Sequence, residues 1–177
     1  DPDPNAAGAL LYGLKIDTRQ FSRGVRPLDI EMFRFLNRFC DEDKLRTLGA
    51  HTLLFSDLRA YASAFETIRV YGSCGFSEIE FPCSDDIVAM IADFFLSLDE
   101  LDLAVVFTRR DDGIKLSIRS DRKDVDAGAW VKKALDGIGT GGGHAYMAGG
   151  LISPKHIPDL FPYPEEIIRD RFLRALD

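Results

Sequence analysis

The chain is short of cysteine, histidine and tryptophan, and it has no long hydrophobic run. Its three cysteines, Cys40, Cys74 and Cys83, are odd in number and show no Cys-x-x-Cys spacing. That argues against a disulfide framework and a zinc site, and for reduced, packed thiols. No uninterrupted apolar stretch approaches the roughly 20 residues that a membrane-spanning helix needs, and no charged-then-apolar leader opens the chain. The expected location is therefore the cytoplasm, with no membrane partner. An excess of positive charge is lacking too: 29 acidic against 22 basic residues give a net charge of −7. This balance argues against a protein that coats long nucleic acid through a continuous basic surface. It leaves room for a small phosphorylated ligand held by a few arginines and metal ions.

What is present, 177 residues with 46% hydrophobic and 29% charged content, suffices for one or two small domains with a real core. Asp-Pro-Asp-Pro leads straight into the apolar run 6–14 with no strand before it to pack on, so the chain is expected to begin inside a larger protein. The first half reads as mainly helical. Asn5 caps a helix carrying Ala6, Ala9, Leu10 and Leu14 inward, and Pro27 with Asp29 opens a second that buries Ile30, Phe33, Leu36 and Phe39. Leu54, Leu58, Tyr61, Ala62 and Phe65 mark a third over residues 52–66.

From Thr67 the period changes. Ile68 and Val70, then Ile79 and Phe81, alternate with polar residues around Gly72 and Gly75, which predicts a strand pair. Asp85 or Asp86 starts an amphipathic helix with Ile87, Met90, Ile91, Phe94, Phe95 and Leu98 on one face and Phe94 at its centre. A buried strand over 103–107 and an alternating one over 114–120 follow, joined by the turn Asp111-Asp112-Gly113. A helix over 127–135, a Gly-rich loop, a short segment at Leu151 and Ile152, and a helix after Pro164 close the order. It predicts an α/β fold, with a helical arm before a small mixed-sheet domain.

The strongest local signal is Gly137-Ile138-Gly139-Thr140-Gly141-Gly142-Gly143-His144. Successive glycines let backbone N–H groups converge on one anion, because no side chain blocks the approach and positive φ is cheap. His144 at the rim is placed to donate to a phosphate oxygen. Upstream, the strand over 114–120 ends in Arg119-Ser120, and strand ends in α/β domains commonly hold ligands. Arg119 can grip a phosphate bidentately and Ser120 can add one hydrogen bond. His51 and His156 have no partner at metal-ligand spacing. Arg109, Arg110, Arg122, Lys123, Lys132 and Lys133 form a modest basic cluster, a solvated surface or a path for an oligonucleotide tail.

Lys115-Leu116-Ser117-Ile118-Arg119-Ser120, then Val125-Asp126, then Gly141-Gly142-Gly143-His144-Ala145 and Ala148-Gly149, resemble the DHH-associated domain of DHH-family phosphoesterases over about residues 67–155. Ala9-Leu10-Leu11-Tyr12-Gly13-Leu14-Lys15-Ile16-Asp17-Thr18 is similar to the last metal motif of the catalytic DHH domain. By that resemblance Asp17 is a manganese ligand, and many relatives have glycine where Arg19 stands. The family's Asp-His-His triplet is not found in these residues.

The resemblance implies a division into residues 1–50, the end of a catalytic DHH domain; 51–66, a connecting helix; and 67–177, the substrate-binding domain. It implies the substrate-binding part of a hydrolase that uses two manganese ions and cleaves short oligonucleotides, cyclic or linear dinucleotides or 3′-phosphoadenosine compounds. Arg119, Ser120, Gly141, Gly142, Gly143 and His144 hold the nucleotide in this reading, and this part alone is inactive. A homodimer is compatible with it. The alternative is a non-catalytic nucleic-acid or nucleotide-binding module, since related Gly-rich domains also end alanyl-tRNA synthetases.

Overall fold

The computed structural model describes residues 1–22, 24–49 and 53–176, in two compact units divided between Leu53 and Leu54. In the first unit, α1 (Pro4–Asp17) is capped by Asp3, two residues before the expected cap Asn5. The carboxylate of Asp3 accepts from the Asn5 and Ala6 N–H groups, both at 3.0 Å, which satisfies donors that a helix start leaves open. In α2 (Pro27–Asn37), Asp29 accepts from the Arg26 N–H at 2.8 Å. That bond, with the Arg26 guanidinium behind it, holds the Asp29 carboxyl below its ordinary range. A further helix, α3 (Glu42–Gly49), has too few apolar residues for its period to show in the sequence. Ala7, Leu11 and Leu36 form the core of this unit, with Leu14, Phe33, Phe39 and Leu45 against them. Ile30, expected inside, is exposed.

The second unit opens with α4 (Asp57–Thr67), which turns Ala60, Ser63 and Ala64 inward. Leu54, Leu58 and Phe65, expected on the buried face, lie outside it. The inward residues are small, so the helix sits close enough to the sheet for the Ser77 hydroxyl to donate to the Ala64 carbonyl at 3.0 Å. His51 and Thr52, expected at the start of this helical segment, lie outside the described residues.

The chain continues as β1 (Arg69–Tyr71), β2 (Cys74–Ile79), α5 (Asp85–Phe95), β3 (Leu103–Arg110), β4 (Gly113–Ser120), α6 (Ala127–Ala134), β5 (Gly139–Gly143), β6 (Met147–Ile152), two short 3-10 turns and α7 (Pro164–Arg174). Among the described residues six strands form one mixed sheet in the order β1-β2-β3-β4-β6-β5. The β2–β3 pair is parallel, joined by the crossover helix α5, and the other neighbours are antiparallel.

Side chains alternate across a strand, and the sheet accordingly has two cores. Leu103, Val105 and Phe107 of β3 and Ile114, Leu116 and Ile118 of β4 join Trp130, Val131, Ile168 and Phe172 on the side of α6 and α7. There the Trp130 indole N–H donates to the Phe172 carbonyl at 2.8 Å. Ala104 and Val106 face the other way, toward Ile87, Val88, Ile91, Ala92 and Phe95 of α5. The centre of the α5 stripe is therefore shifted by a residue from the one expected: Phe94 is 45% exposed and Phe95 only 1%. A helix turns about 100° per residue, enough to carry a neighbouring phenylalanine from the core to its margin.

The three cysteines are free thiols, and burial pushes that of Cys74 up to about 12. No helix among the described residues is long and apolar enough to cross a membrane.

Candidate functional site

The stretch Gly139–Gly143, expected as a loop whose amides converge on an anion, is instead a strand. Its glycines do not have positive φ; that conformation occurs just before, at Gly137 (φ +80°), where the chain leaves α6. Glycine has poor strand propensity, and pairing with β6 supplies what is missing. The His144 N–H donates to the Met147 carbonyl at 2.7 Å, and the Ser153 N–H donates to the Ile138 carbonyl at 3.3 Å, closing both ends of the pair.

These glycines serve two faces. Gly141 pairs with Gly150, and there a Cβ would lie 2.6 Å from Val131 Cγ2 or 2.7 Å from Leu135 Cδ1 respectively, so their bareness lets α6 pack on the sheet. Gly142 pairs with Gly149 on the opposite face, where a Cβ on either would meet no heavy atom nearer than 3.7 Å beyond its chain neighbours. The result is a patch of floor without side chains, set between Met147 and Leu151 of β6. Above it lies a trough of about 680 Å³, bounded by Val88 and Ala89 of α5 and by Lys115, Ser117 and Arg119 of β4.

Lys115, Ser117 and Arg119 are brought there by strand alternation, since Leu116 and Ile118 between them fill the α6 side. Arg119 is only 8% exposed, and protein acceptors engage all its donor nitrogens. Nε and Nη2 donate to the two carboxylate oxygens of Asp93 at 2.7 and 3.1 Å. Nη1 donates to Ser117 Oγ at 2.9 Å and the Ile118 carbonyl at 3.1 Å, and Nη2 reaches the Ala89 carbonyl at 3.5 Å. Arg119 thus ties β4 to α5 along the wall of the trough.

Ser120 does not join it. One residue further along, it falls on the other face of the strand, fully buried, and its hydroxyl donates to the Val125 carbonyl at 2.9 Å. Ser117, two residues before Arg119 and on the same face, offers the hydroxyl expected from Ser120; the alternation of 115, 117 and 119 was the signal for it. Gly141, Gly142, Gly143 and His144 do line the trough. The His144 carbonyl accepts from the Gly128 N–H at 3.2 Å, which fixes its backbone while its side chain stands at the exposed rim. The start of α6 is internally capped, with Asp126 accepting from the Ala129 N–H at 2.8 Å and the Ala127 N–H donating to the Ala145 carbonyl at 2.9 Å.

Asp17 belongs to the first unit, where it ends α1 and is exposed. The following Thr18 is buried; its hydroxyl donates to the Leu14 carbonyl at 2.7 Å and accepts from the Phe21 N–H at 3.1 Å. Arg19, Gln20 and Phe21 have φ of +46°, +55° and +64°, a left-handed turn that side chains disfavour and that a glycine would adopt at no such cost. Phe21 packs edge-on against Phe33, with ring centroids 5.1 Å apart. Among the described residues no group of three or more His, Cys, Asp or Glu side chains could hold a metal ion. One exposed carboxylate falls short of the several hard ligands that each manganese takes, so these residues do not by themselves fit a two-metal site.

Comparison with known proteins places this geometry. The uncharacterized protein MJ1633 of Methanocaldococcus jannaschii is 28% identical over 183 residues, which cover 99% of this chain and 37% of that protein. An exopolyphosphatase-related protein from Bacteroides fragilis has a similar crystal structure, with 17% identity and a TM-score of 0.67 over 99% of this chain and 53% of that one. RecJ from Thermus thermophilus, crystallised with Mn2+, aligns at 16% identity and a TM-score of 0.47, covering 97% of this chain and 23% of its own. The chain thus spans 37% of the length of the curated relative it matches, and the likeness to the Bacteroides protein is one of fold. Residues 72–170 match the DHHA1 domain, the stretch that holds the trough and its glycine floor. The chain belongs to the DHHA1 family, the DHH-associated domain.

Proposed function

We propose that the trough binds the phosphate-bearing substrate of a manganese-dependent phosphoesterase that hydrolyses short oligonucleotides, cyclic or linear dinucleotides or 3′-phosphoadenosine compounds. The observation that carries this reading is the bare floor at Gly142 and Gly149 beside Lys115, Ser117 and Arg119. A floor without side chains lets a flat or extended ligand lie against the backbone, and two cations with a hydroxyl at its wall suit a phosphate. His144 at the rim adds a donor.

In this reading the domain selects and orients, and cleavage belongs to a catalytic DHH domain. The two manganese ions held there would supply Lewis acidity and an activated water. Asp17 would be one metal ligand among several.

Calorimetric titration with 3′-phosphoadenosine 5′-phosphate and a short oligoadenylate tests the reading. Arg119→Ala and His144→Ala are each expected to weaken binding about ten- to a hundredfold, the value of a charge-assisted contact. Together they should weaken it by less than the product, because both act on one ligand. Unchanged affinity in both variants, with circular dichroism showing intact folds, would refute it.

A further inference from the structure

The Arg119–Asp93 pair sets a condition on what the trough can accept. Arg119 is the most deeply buried cation on its wall, yet its fork, Nε and Nη2, is closed on the two oxygens of Asp93 at 2.7 and 3.1 Å. Asp93 is not part of the trough lining; it stands on α5 with a side chain 42% exposed, so it can take up water if the pair opens. A ligand phosphate that engages the fork must therefore displace a carboxylate already there. The remaining bonds, to Ser117 and the Ile118 carbonyl, leave Arg119 anchored while the exchange occurs.

Resting on the proposed trough, we infer that Asp93 is an internal competitor that makes the site select terminal phosphate monoesters over bridging phosphodiesters. A diester offers one negative charge and two free oxygens, the same as the carboxylate it would replace, so the exchange gains little. A monoester near neutral pH carries about −1.5 to −2 charges and three acceptor oxygens, and gains from the exchange. The ligand class is then a nucleotide or short oligonucleotide that presents a phosphorylated end. Asp93 is a specificity-determining residue that acts through Arg119.

The test is calorimetric titration of the chain with two probes, the dinucleoside monophosphate ApA and its 5′-phosphorylated form pApA. The wild type is expected to bind pApA at least about tenfold more tightly, one charge-assisted contact's worth. Asp93→Asn and Asp93→Ser should tighten ApA and narrow that ratio to below about threefold, whereas Asp93→Glu, which keeps the competing charge, should preserve the preference. A brace that merely holds Arg119 in place would instead weaken both probes alike when removed. That result, or an unchanged ratio in both neutral variants, would overturn the inference and leave the trough standing. Absence of binding of either probe by the wild type, or wild-type binding in Arg119→Ala, would sink the trough reading and this inference with it.

Discussion

Two adjacent glycines are expected to respond in opposite directions to the same substitution. In Gly141→Ala the new methyl carbon would stand 2.6 and 2.9 Å from the two methyl groups of Val131, whereas carbon atoms pack best at about 3.5–4.0 Å. Val131 is fully buried and stiff about χ1, so either α6 or β5 has to move by about 1 Å to reach that spacing. Overpacking of this kind costs about 1–3 kcal/mol. The smaller entropy of the unfolded chain returns about 0.4–1 kcal/mol, which leaves a net loss of up to about 2.6 kcal/mol. In Gly142→Ala the methyl would meet nothing nearer than Lys132 Cε at 3.7 Å, an ordinary contact on a backbone without positive φ. The entropy gain then stands alone, and the variant should be more stable by about 0.4–1 kcal/mol. Equilibrium denaturation in urea reads both, with midpoints on opposite sides of the wild type. Midpoints shifted equally and in one direction would refute the two-faced account of the glycine strand.

Phe95→Ala should cost about 3–5 kcal/mol, the usual loss for a buried aromatic, and Phe94→Ala, at the core margin, about 1 kcal/mol or less; equal losses in urea titrations would put the face of α5 wrong. Ser120→Ala should lower stability by about 1–3 kcal/mol, because the Val125 carbonyl loses its donor, while leaving nucleotide affinity within twofold, about 0.4 kcal/mol; a tenfold weaker titration would return Ser120 to the site. Cys74, buried and with its thiol pushed up to about 12 by that burial, should resist alkylation at pH 8 until denaturant is added, and modification of the native protein at Cys74 by mass spectrometry would contradict its burial.

The alternating segments were the legible part of the fold. Residues 103–107 and 114–120 and the turn at Asp111-Asp112-Gly113 announce a β-hairpin by period and turn chemistry, and both strands and their antiparallel pairing are present. The DHH-associated domain was legible too, through the ordered spacing from Arg119 to His144. The glycine strand was not, because alternation is carried by side chains and a run of glycine has none to alternate. Its strand character comes from pairing with β6 across the short turn 144–146, and β6 itself carries Gly149 and Gly150 where alternation would have to show. Ser120 went astray through parity, since a strand end near a ligand says nothing about which face each residue takes until the core face is identified. Leu116 and Ile118 identify it, and Lys115 and Ser117 follow. Helix α3 hid behind its charge, and the small inward residues of α4 behind more conspicuous apolar ones on its outer side.

The central claim, that the bare floor at Gly142 is ligand space, is tested most directly by titrating Gly142→Val with 3′-phosphoadenosine 5′-phosphate alongside a thermal melt. The position is extended and open, so a β-branched side chain should leave the fold at least as stable as before while filling the trough. The account predicts binding weakened by at least about tenfold, or 1.4 kcal/mol, with no loss in Tm. Wild-type affinity in a folded Gly142→Val protein would show that the phosphate binds elsewhere and contradict it.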